Sequence, residues 1–175
     1  MNYFREYRRS LNLERYESGR EFLIDMKATL SSREIERLKV LKHHMRVGRY
    51  QHVLSVSYLS YMLARERGLS YIETARGALL HDLYYYDWTQ RDKRPKRHNR
   101  LHPSIALKNA ESAFELTPLE REIIASHMWP IAQPRPESAE AKIVNRMDKV
   151  CSNLEIAYSL FSGKKSSVRF KKEKQ

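Results

Sequence analysis

Residues 50–82 read YQHVLSVSYLSYMLARERGLSYIETARGALLHD, and this stretch decides the fold class. Its first half repeats apolar residues at helical spacing until Gly68 ends the run. A second helical pattern begins at a capping box of Ser70 and Glu73 and ends on the pair His81-Asp82. The stretch therefore predicts two consecutive helices, with His52 inside the first and a histidine–aspartate pair at the end of the second.

The rest of the chain is also typical of helices. Further helical patterns cover about 11–30, follow the Ser31 capping box, begin at Pro103 and Thr117, and run over about 138–161. The polar, basic stretch 84–101 predicts a long loop, and nothing predicts a strand. We expect an all-α, single-domain helical bundle with an N-terminal helical extension (1–30), a helical domain (31–163) and a basic, disordered tail (164–175).

Composition sets the broad class of protein. The chain has 175 residues and 41% hydrophobic residues, enough for one compact domain with its own core. No stretch reaches the ~18 consecutive apolar residues that a membrane span needs, and the N-terminus lacks the apolar run of a secretory signal. The single cysteine, Cys151, excludes an internal disulfide. We therefore expect a cytoplasmic protein with no membrane partner.

The charge of the chain is strongly positive and unevenly distributed. Lys and Arg number 33 against 21 acidic residues, a formal net charge of +12. Residues 89–102 hold six Lys or Arg and one acid, and so do residues 164–175. Such clusters attract phosphate-bearing partners, although a charged terminus is also commonly just solvated. The internal cluster is the more informative one, because it lies between two groups of candidate metal ligands.

Imidazoles and carboxylates spread over about a hundred residues form the main chemical signal. They are His52, His81, Asp82, His102, His127 and Asp148. Residues so far apart form no local motif, but they can meet where facing helices of a bundle converge on an ion. A buried aspartate costs several kcal/mol unless a cation or hydrogen bonds compensate it. Imidazole with carboxylate suits Fe, Mn, Zn, Co or Ni better than Ca or Mg.

Each candidate residue has a second interpretation when taken alone. A lone histidine on an apolar helix face is more often a hydrogen-bonded core residue than a ligand. Asp148 could equally pair with Arg146 or Lys149, or face solvent. The joint order carries the signal: a histidine, about thirty residues, His-Asp, about sixty-five residues, and an aspartate, all on predicted helices.

Five segments carry a resemblance to a known family. They are RYQHVLSVSYLSYMLA (49–64), ARGALLHDL (75–83), HPSIALKNA (102–110), IIASHMWP (123–130) and IVNRMDKVCS (143–152). In this order they resemble the HD-domain superfamily of metal-dependent phosphohydrolases, over roughly residues 46–158. The resemblance implies an HD-type helical bundle. The six-ligand pattern is further similar to bacterial HD proteins that hydrolyse diadenosine tetraphosphate.

The resemblance also implies a ligand set. The superfamily's mononuclear set corresponds here to His52, His81, Asp82 and Asp148. Branches with a second metal add two histidines, which correspond to His102 and His127, and Asp82 then bridges both ions. The expected cofactor is a divalent transition metal, two ions in all, with Fe or Mn favoured and Zn, Co or Ni as alternatives.

A two-metal site predicts phosphate chemistry. A water between two cations loses its proton near neutral pH, and this metal-bound hydroxide attacks a phosphoester or phosphoanhydride. Asp82 and Lys149 are the candidate catalytic residues, and Arg49, Lys149 and Arg94 are the candidates for binding substrate phosphate. Ordinary surface charge is an equally good interpretation of these three cations. The expected partner is a small anionic phosphate compound such as a nucleotide; the oligomeric state stays open.

A different class of function also fits the sequence. The chain could be a non-catalytic, metal-containing helical protein that binds nucleic acid through the basic loop and tail. A structural metal site needs no six-ligand set with positions left open for water, so the pattern favours the enzyme.

Overall fold

The computed structural model describes residues 1–41, 47–88, 90 and 95–161, with side chains up to residue 159. Within these ranges the chain forms helices and no β-strand, which confirms the all-α prediction. The helices are α1 (Tyr3–Ser10), α2 (Glu17–Asp25), α3 (Lys27–Leu30), α4 (Arg33–Glu36), α5 (Arg49–Glu66), α6 (Tyr71–Leu80), α7 (His98–Ala113), α8 (Pro118–Ser126) and α9 (Ala139–Phe161). Short 3-10 turns cover Leu13–Arg15 and Arg37–Val40.

Helix α5 is the centre of the bundle and packs against α1, α6 and α9. Val53, Val56 and Leu59 have no exposed surface, and buried residues occur on every side of the helix. A helix that is buried all round lies inside its domain rather than on the surface. Ser57 Oγ donates to the Ala75 carbonyl at 2.7 Å and so joins α5 to α6. A side chain on the first turn of α5 is therefore held in the interior.

Helices α6 and α8 approach each other closely. A Cβ on Gly77 would lie 3.0 Å from the Ile123 side chain, so only glycine fits at this contact without displacing a neighbour. Helix α8 begins with the predicted capping box, in which Thr117 accepts from the Glu120 N–H and the Glu120 carboxylate accepts from the Thr117 N–H. The close packing brings the C-terminal ends of α6 and α8 together.

The N-terminal region differs from its prediction. Instead of one helix over about 11–30, the structure has α1, a 3-10 turn and the short helices α2 and α3. Asn2 caps α1 by accepting from the Arg5 N–H at 3.0 Å. Phe22, fully buried, packs edge-on against Tyr58 of α5. Residues 1–30 thus contribute to the same core, and the division at residue 31 remains a prediction.

Two further local predictions were wrong. Ser70 caps α6 by position, but its side chain makes no capping hydrogen bond; its backbone N–H instead donates to Glu140 at 3.3 Å. Helix α7 begins at His98, so Pro103 lies inside the helix rather than in its first turn. The predicted loop is correspondingly shorter. None of the described helices has both the length and the apolarity that crossing a bilayer requires.

Candidate metal centre

The structure brings the six candidate ligands into one buried cluster, held by five helices. His52 lies on the first turn of α5, His102 lies on α7, and Asp148 lies midway along α9. The C-caps of α6 and α8 are His81 and His127, and Asp82 follows directly after His81. All six are buried, and the most exposed of them, Asp148, has 8% of its surface accessible. At the end of α6 the backbone leaves the helix, and consecutive side chains can then face one point.

One half of the cluster is built around Asp148. Its Oδ1 lies 3.2 Å from His52 Nε2 and 3.9 Å from His81 Nε2. Potential ligand atoms from these three residues all lie within 4.8 Å of one another. This arrangement can hold a metal ion.

The other half is built around Asp82, whose two oxygens face different histidines. Its Oδ1 lies 3.2 Å from His102 Nε2 and 3.7 Å from His127 Nε2. Its Oδ2 lies 4.0 Å from His81 Nε2, on the side of the first half. Asp82, His81 and His127 form a second group able to hold an ion. The Asp82 carboxylate thus lies between the two halves.

All four imidazoles are oriented in the same way. Each directs Nδ1 at a protein acceptor: His52 at Glu155 Oε1 (2.9 Å), His81 at the Ala78 carbonyl (2.7 Å), His102 at the His98 carbonyl (3.2 Å) and His127 at the Ile124 carbonyl (2.8 Å). A carbonyl oxygen only accepts, so the Nδ1 that faces it carries the hydrogen. A neutral imidazole then has a bare Nε2, which is the form that binds metal.

The electrostatics of the cluster favour the metal-binding protonation states of His127 and Asp148. Burial, together with the neighbouring His81 and His102, lowers the pKa of His127 to about 3, so its ring is neutral at physiological pH. Burial raises the pKa of Asp148, but the hydrogen bond with His52 and the nearby His81 outweigh it and hold that pKa at about 2. Asp148 is therefore ionised.

These residues fit a divalent transition metal. His81 Nε2 is buried and has no hydrogen-bond partner among the described residues, although it lies near two carboxylates. A bare imidazole nitrogen in that position costs free energy unless a cation takes it as a ligand. Four imidazoles and two carboxylates make up the mixed nitrogen and oxygen donor set that such metals prefer.

A cavity of about 360 Å³ opens beside the cluster. Asp82, His102 and Asp148 reach it from the metal side, and Tyr84, Trp88 and His98 form an aromatic wall. The remaining lining residues are Asn99, Met128, Ile131, Lys149, Ser152 and Asn153. An adjoining cavity shares His98, Asn99 and Ile131 and adds Arg97 and Arg100. Together, the two adjoining cavities combine an aromatic surface with exposed cations.

Of the three proposed substrate-binding cations, one lines the cavity, one lies away from it, and one is outside the described residues. Lys149 lines the cavity, where Nζ donates to Asn145 Oδ1 (2.6 Å) and to the Trp129 carbonyl (2.8 Å). Arg49 is not brought to the cavity; it is fully buried and donates to the Tyr84 carbonyl at 2.7 Å, with its guanidinium 3.7 Å from the Tyr84 ring centre. The hydrogen bonds and the ring contact explain how a charged group is accommodated there. Arg94 lies outside the described residues, as does the tail 164–175.

Two residues of the site, Glu155 and His98, are not among the six candidate ligands that the sequence indicated. Glu155 is fully buried on α9 and accepts from His52 Nδ1. Its position seven residues after Asp148, two turns along the same face, was the available signal. His98 is buried, stacks on His102 with ring centres 4.7 Å apart, and lines the cavity. Its place in a basic stretch concealed this position.

Fold and site together define an all-helical protein with a buried histidine–aspartate metal centre. The family model described as HD domain matches residues 49–153, and the chain belongs to this family. HD domains bind divalent metals and characterise a superfamily of metal-dependent phosphohydrolases. Searches of curated proteins and of solved structures found no match.

Proposed function

We propose that this chain is a dinuclear metal-dependent phosphohydrolase that cleaves a phosphoester or phosphoanhydride bond of a nucleotide or another small phosphate compound. The observation that carries the proposal is the common orientation of four imidazoles, each with Nδ1 on a protein acceptor and Nε2 directed at a carboxylate. Membership of the HD-domain family supports the same reaction class.

We assign the first ion to His52, His81, Asp82 and Asp148, and the second to Asp82, His102 and His127. Asp82 serves both ions in this assignment, and its two oxygens face the two groups of histidines. Fe and Mn are the favoured metals, with Zn, Co and Ni as alternatives of similar donor preference.

The contact between His102 and His127 supports a second ion. Their Nε2 atoms lie 2.8 Å apart, and each Nδ1 faces a backbone carbonyl. Two neutral rings with hydrogens on Nδ1 have no hydrogen to share between these Nε2 atoms, so their lone pairs repel. A shared divalent cation removes the repulsion.

The residues of this chain would contribute positioning and charge. Bound divalent ions supply Lewis acidity toward a water molecule and a phosphoryl oxygen. Lys149 lines the cavity from a position next to Asp148, and its ammonium is held by Asn145 and the Trp129 carbonyl. There it can neutralise charge on the phosphoryl group. The two carboxylates are largely buried, which limits their contact with bulk water.

The shape of the cavity supports a nucleotide-sized substrate. Its volume of about 360 Å³ lies within the usual range for small-molecule sites. Trp88 offers an aromatic face to a base, and Arg97 and Arg100 lie in the adjoining cavity, where a phosphate chain could extend. Diadenosine tetraphosphate, ATP and nucleoside monophosphates are suitable first compounds for a screen.

Metal content and phosphate release test this function together. Protein purified without chelator should contain about two equivalents of a transition metal by elemental analysis, and His102→Ala about one. The wild type should release phosphate or a nucleotide product from the screened compounds in the presence of Mn²⁺ or Fe²⁺. Ser104→Ala, an exposed residue of the same helix, is the matched control. No bound metal after reconstitution with either ion would reject the proposal.

A further inference from the structure

Another cavity, of about 860 Å³, lies between α1, the following 3-10 turn and the C-terminal part of α9. We call it the arginine groove. Its lining residues are Phe4, Arg5, Tyr7, Arg8, Arg9, Leu11, Asn12, Arg15, Tyr16, Leu154, Ala157 and Tyr158. None of them lines the cavity beside the metal centre, so the two sites are separate.

The charged residues that line the arginine groove are all positive. Four arginines line it, and no aspartate or glutamate is among the described residues that do. Arg5 and Arg9 pair with Glu6, a carboxylate that is only 2% exposed and so presents little negative charge to solvent. Arg8 and Arg15 are exposed and form no ion pair within the described part of the chain. Two guanidinium groups are thus available to an anionic ligand.

Aromatic rings lie among these arginines. Phe4 is 60% exposed and Tyr158 is 55% exposed, so both rings are open to solvent. The Arg9 guanidinium lies 5.1 Å from the centre of the Tyr16 ring. Exposed rings interleaved with arginines are typical of proteins that bind single-stranded nucleic acids, because bases stack on the rings and phosphates pair with the cations.

We propose that the arginine groove binds single-stranded nucleic acid. The groove is concave, which suits an extended strand, whereas a membrane surface is contacted by projecting apolar side chains. Helix α9 ends at Phe161, next to the groove residues Ala157 and Tyr158, and the sequence continues into the six Lys or Arg of residues 164–175. The sequence that follows α9 is therefore also basic, which is the composition that a polyanionic partner favours.

The proposal does not depend on phosphohydrolase activity. Its residues lie outside the candidate metal ligands, and binding is measured without turnover. The probe is a fluorescein-labelled single strand of about ten nucleotides, as RNA and as DNA, because a single-strand-binding domain covers on the order of ten nucleotides. Fluorescence anisotropy gives the dissociation constant at several salt concentrations, and a gel confirms that the probe stays intact.

Charge reversal in the groove is the decisive change. Arg8→Glu/Arg15→Glu should weaken binding at least about tenfold and reduce the salt dependence, because two phosphate contacts are lost. Phe4→Ala/Tyr158→Ala should weaken binding several-fold and leave the salt dependence unchanged, because stacking is not ionic. All four positions are exposed, so the variants should keep the wild-type circular dichroism spectrum.

The matched control is Arg33→Glu/Arg67→Glu, an equal change of charge at two exposed arginines outside the groove. If it weakens binding as much as the groove variant, the attraction is a property of net charge and the proposal is overturned. Binding to phosphatidylserine vesicles with none to either oligonucleotide would overturn it in favour of a membrane surface. Equal affinity for a duplex of the same length would also reject a single-strand groove.

Discussion

Glu155 Oε1 accepts a hydrogen bond from His52 Nδ1 at 2.9 Å, and neither side chain has exposed surface. The pair joins α9 to α5 across the core, two helical turns beyond Asp148. Burial lowers the pKa of His52, but Glu155 and Asp148 outweigh it and raise the pKa well above its ordinary value. The carboxylate thereby fixes the ring orientation that directs Nε2 at Asp148.

Removing the charge of Glu155 should weaken metal binding. Glu155→Gln keeps a carbonyl oxygen for the hydrogen bond but makes His52 a less basic ligand, and we expect the affinity for Mn²⁺ to fall about tenfold or more. Competition with a chromogenic chelator measures this affinity. Glu115→Gln, an exposed glutamate, should leave it unchanged. A wild-type affinity in folded Glu155→Gln would mean that the carboxylate does not act on the metal ligand.

Lys149 should affect the reaction and not the metal. Its ammonium lines the cavity without being a candidate ligand, so Lys149→Met should retain the wild-type metal content. Loss of a cation that stabilises transition-state charge should lower kcat/KM on a chromogenic phosphodiester by about 10²-fold. Lys149→Arg should recover part of the rate.

Metal content and steady-state kinetics on the same preparations separate the two effects. If Lys149→Met loses metal along with activity, the lysine acts on the structure of the centre. If it loses neither, Lys149 belongs to the surface charge that the sequence offered as its alternative interpretation.

The long helices could be predicted from sequence because their patterns are long and periodic. The predicted helix over about 50–67 differs from α5 by one residue at each end. The predicted helix over about 138–161 differs from α9 by one residue at its start. Short helices depend on packing as much as on pattern, and the N-terminal region therefore broke into pieces that no periodicity indicated. In particular, Gly19 lies against the backbone of Leu13, a contact between segments that sequence spacing does not reveal.

The candidate site could be predicted where residue type limits the chemistry. Histidines and aspartates in a helical chain have few uses that bring six of them together, and their order alone suggested the cluster. The position of Arg49 could not be predicted, because a charged side chain is normally exposed. Its hydrogen bonds go to the carbonyls of Tyr84 and Tyr86, in a loop more than thirty residues away. Such long-range partners leave no trace in local sequence.

The contact between Gly77 and Ile123 should show strong coupling. Gly77→Ala gains helix propensity of about 1 kcal/mol but places a Cβ 3.0 Å from the Ile123 side chain, and overpacking of this kind costs about 1–3 kcal/mol. We expect a net loss of stability. Ile123→Ala alone should cost about 2–5 kcal/mol through the cavity that it leaves.

The double variant Gly77→Ala/Ile123→Ala should lose less free energy of unfolding than the two single variants lose in sum. The difference should exceed about 1 kcal/mol, because the added methyl group occupies part of the cavity. Urea unfolding of the four proteins measures this coupling. Additive effects would show that the contact between Gly77 and Ile123 does not limit how closely α6 and α8 approach each other. The approach of His81 to His127 would then have to depend on other contacts.

Glu122 should make the stability of the protein depend on pH. Its Oε1 accepts from the backbone N–H groups of Glu137 (2.6 Å) and Ser138 (2.9 Å), directly before α9. Partial burial raises the pKa of Glu122, but these hydrogen bonds outweigh it, and the pKa lies below its ordinary value of 4.5. A carboxyl group with a lowered pKa in the folded state stabilises that state above its unfolded pKa. The contribution is lost as the pH falls through the folded value.

The wild type should therefore exceed Glu122→Gln in stability by about 1 kcal/mol at pH 7, as for other losses at a helix N-terminus. The difference should shrink below the ordinary pKa of 4.5 and approach zero once Glu122 is protonated in the folded protein. Thermal unfolding of both proteins from pH 7 to pH 3 measures it. Glu137→Gln, whose exposed side chain lies at the same helix end, should show no comparable dependence. A difference that stays constant over this range would mean that the ionised carboxylate is not what holds the start of α9.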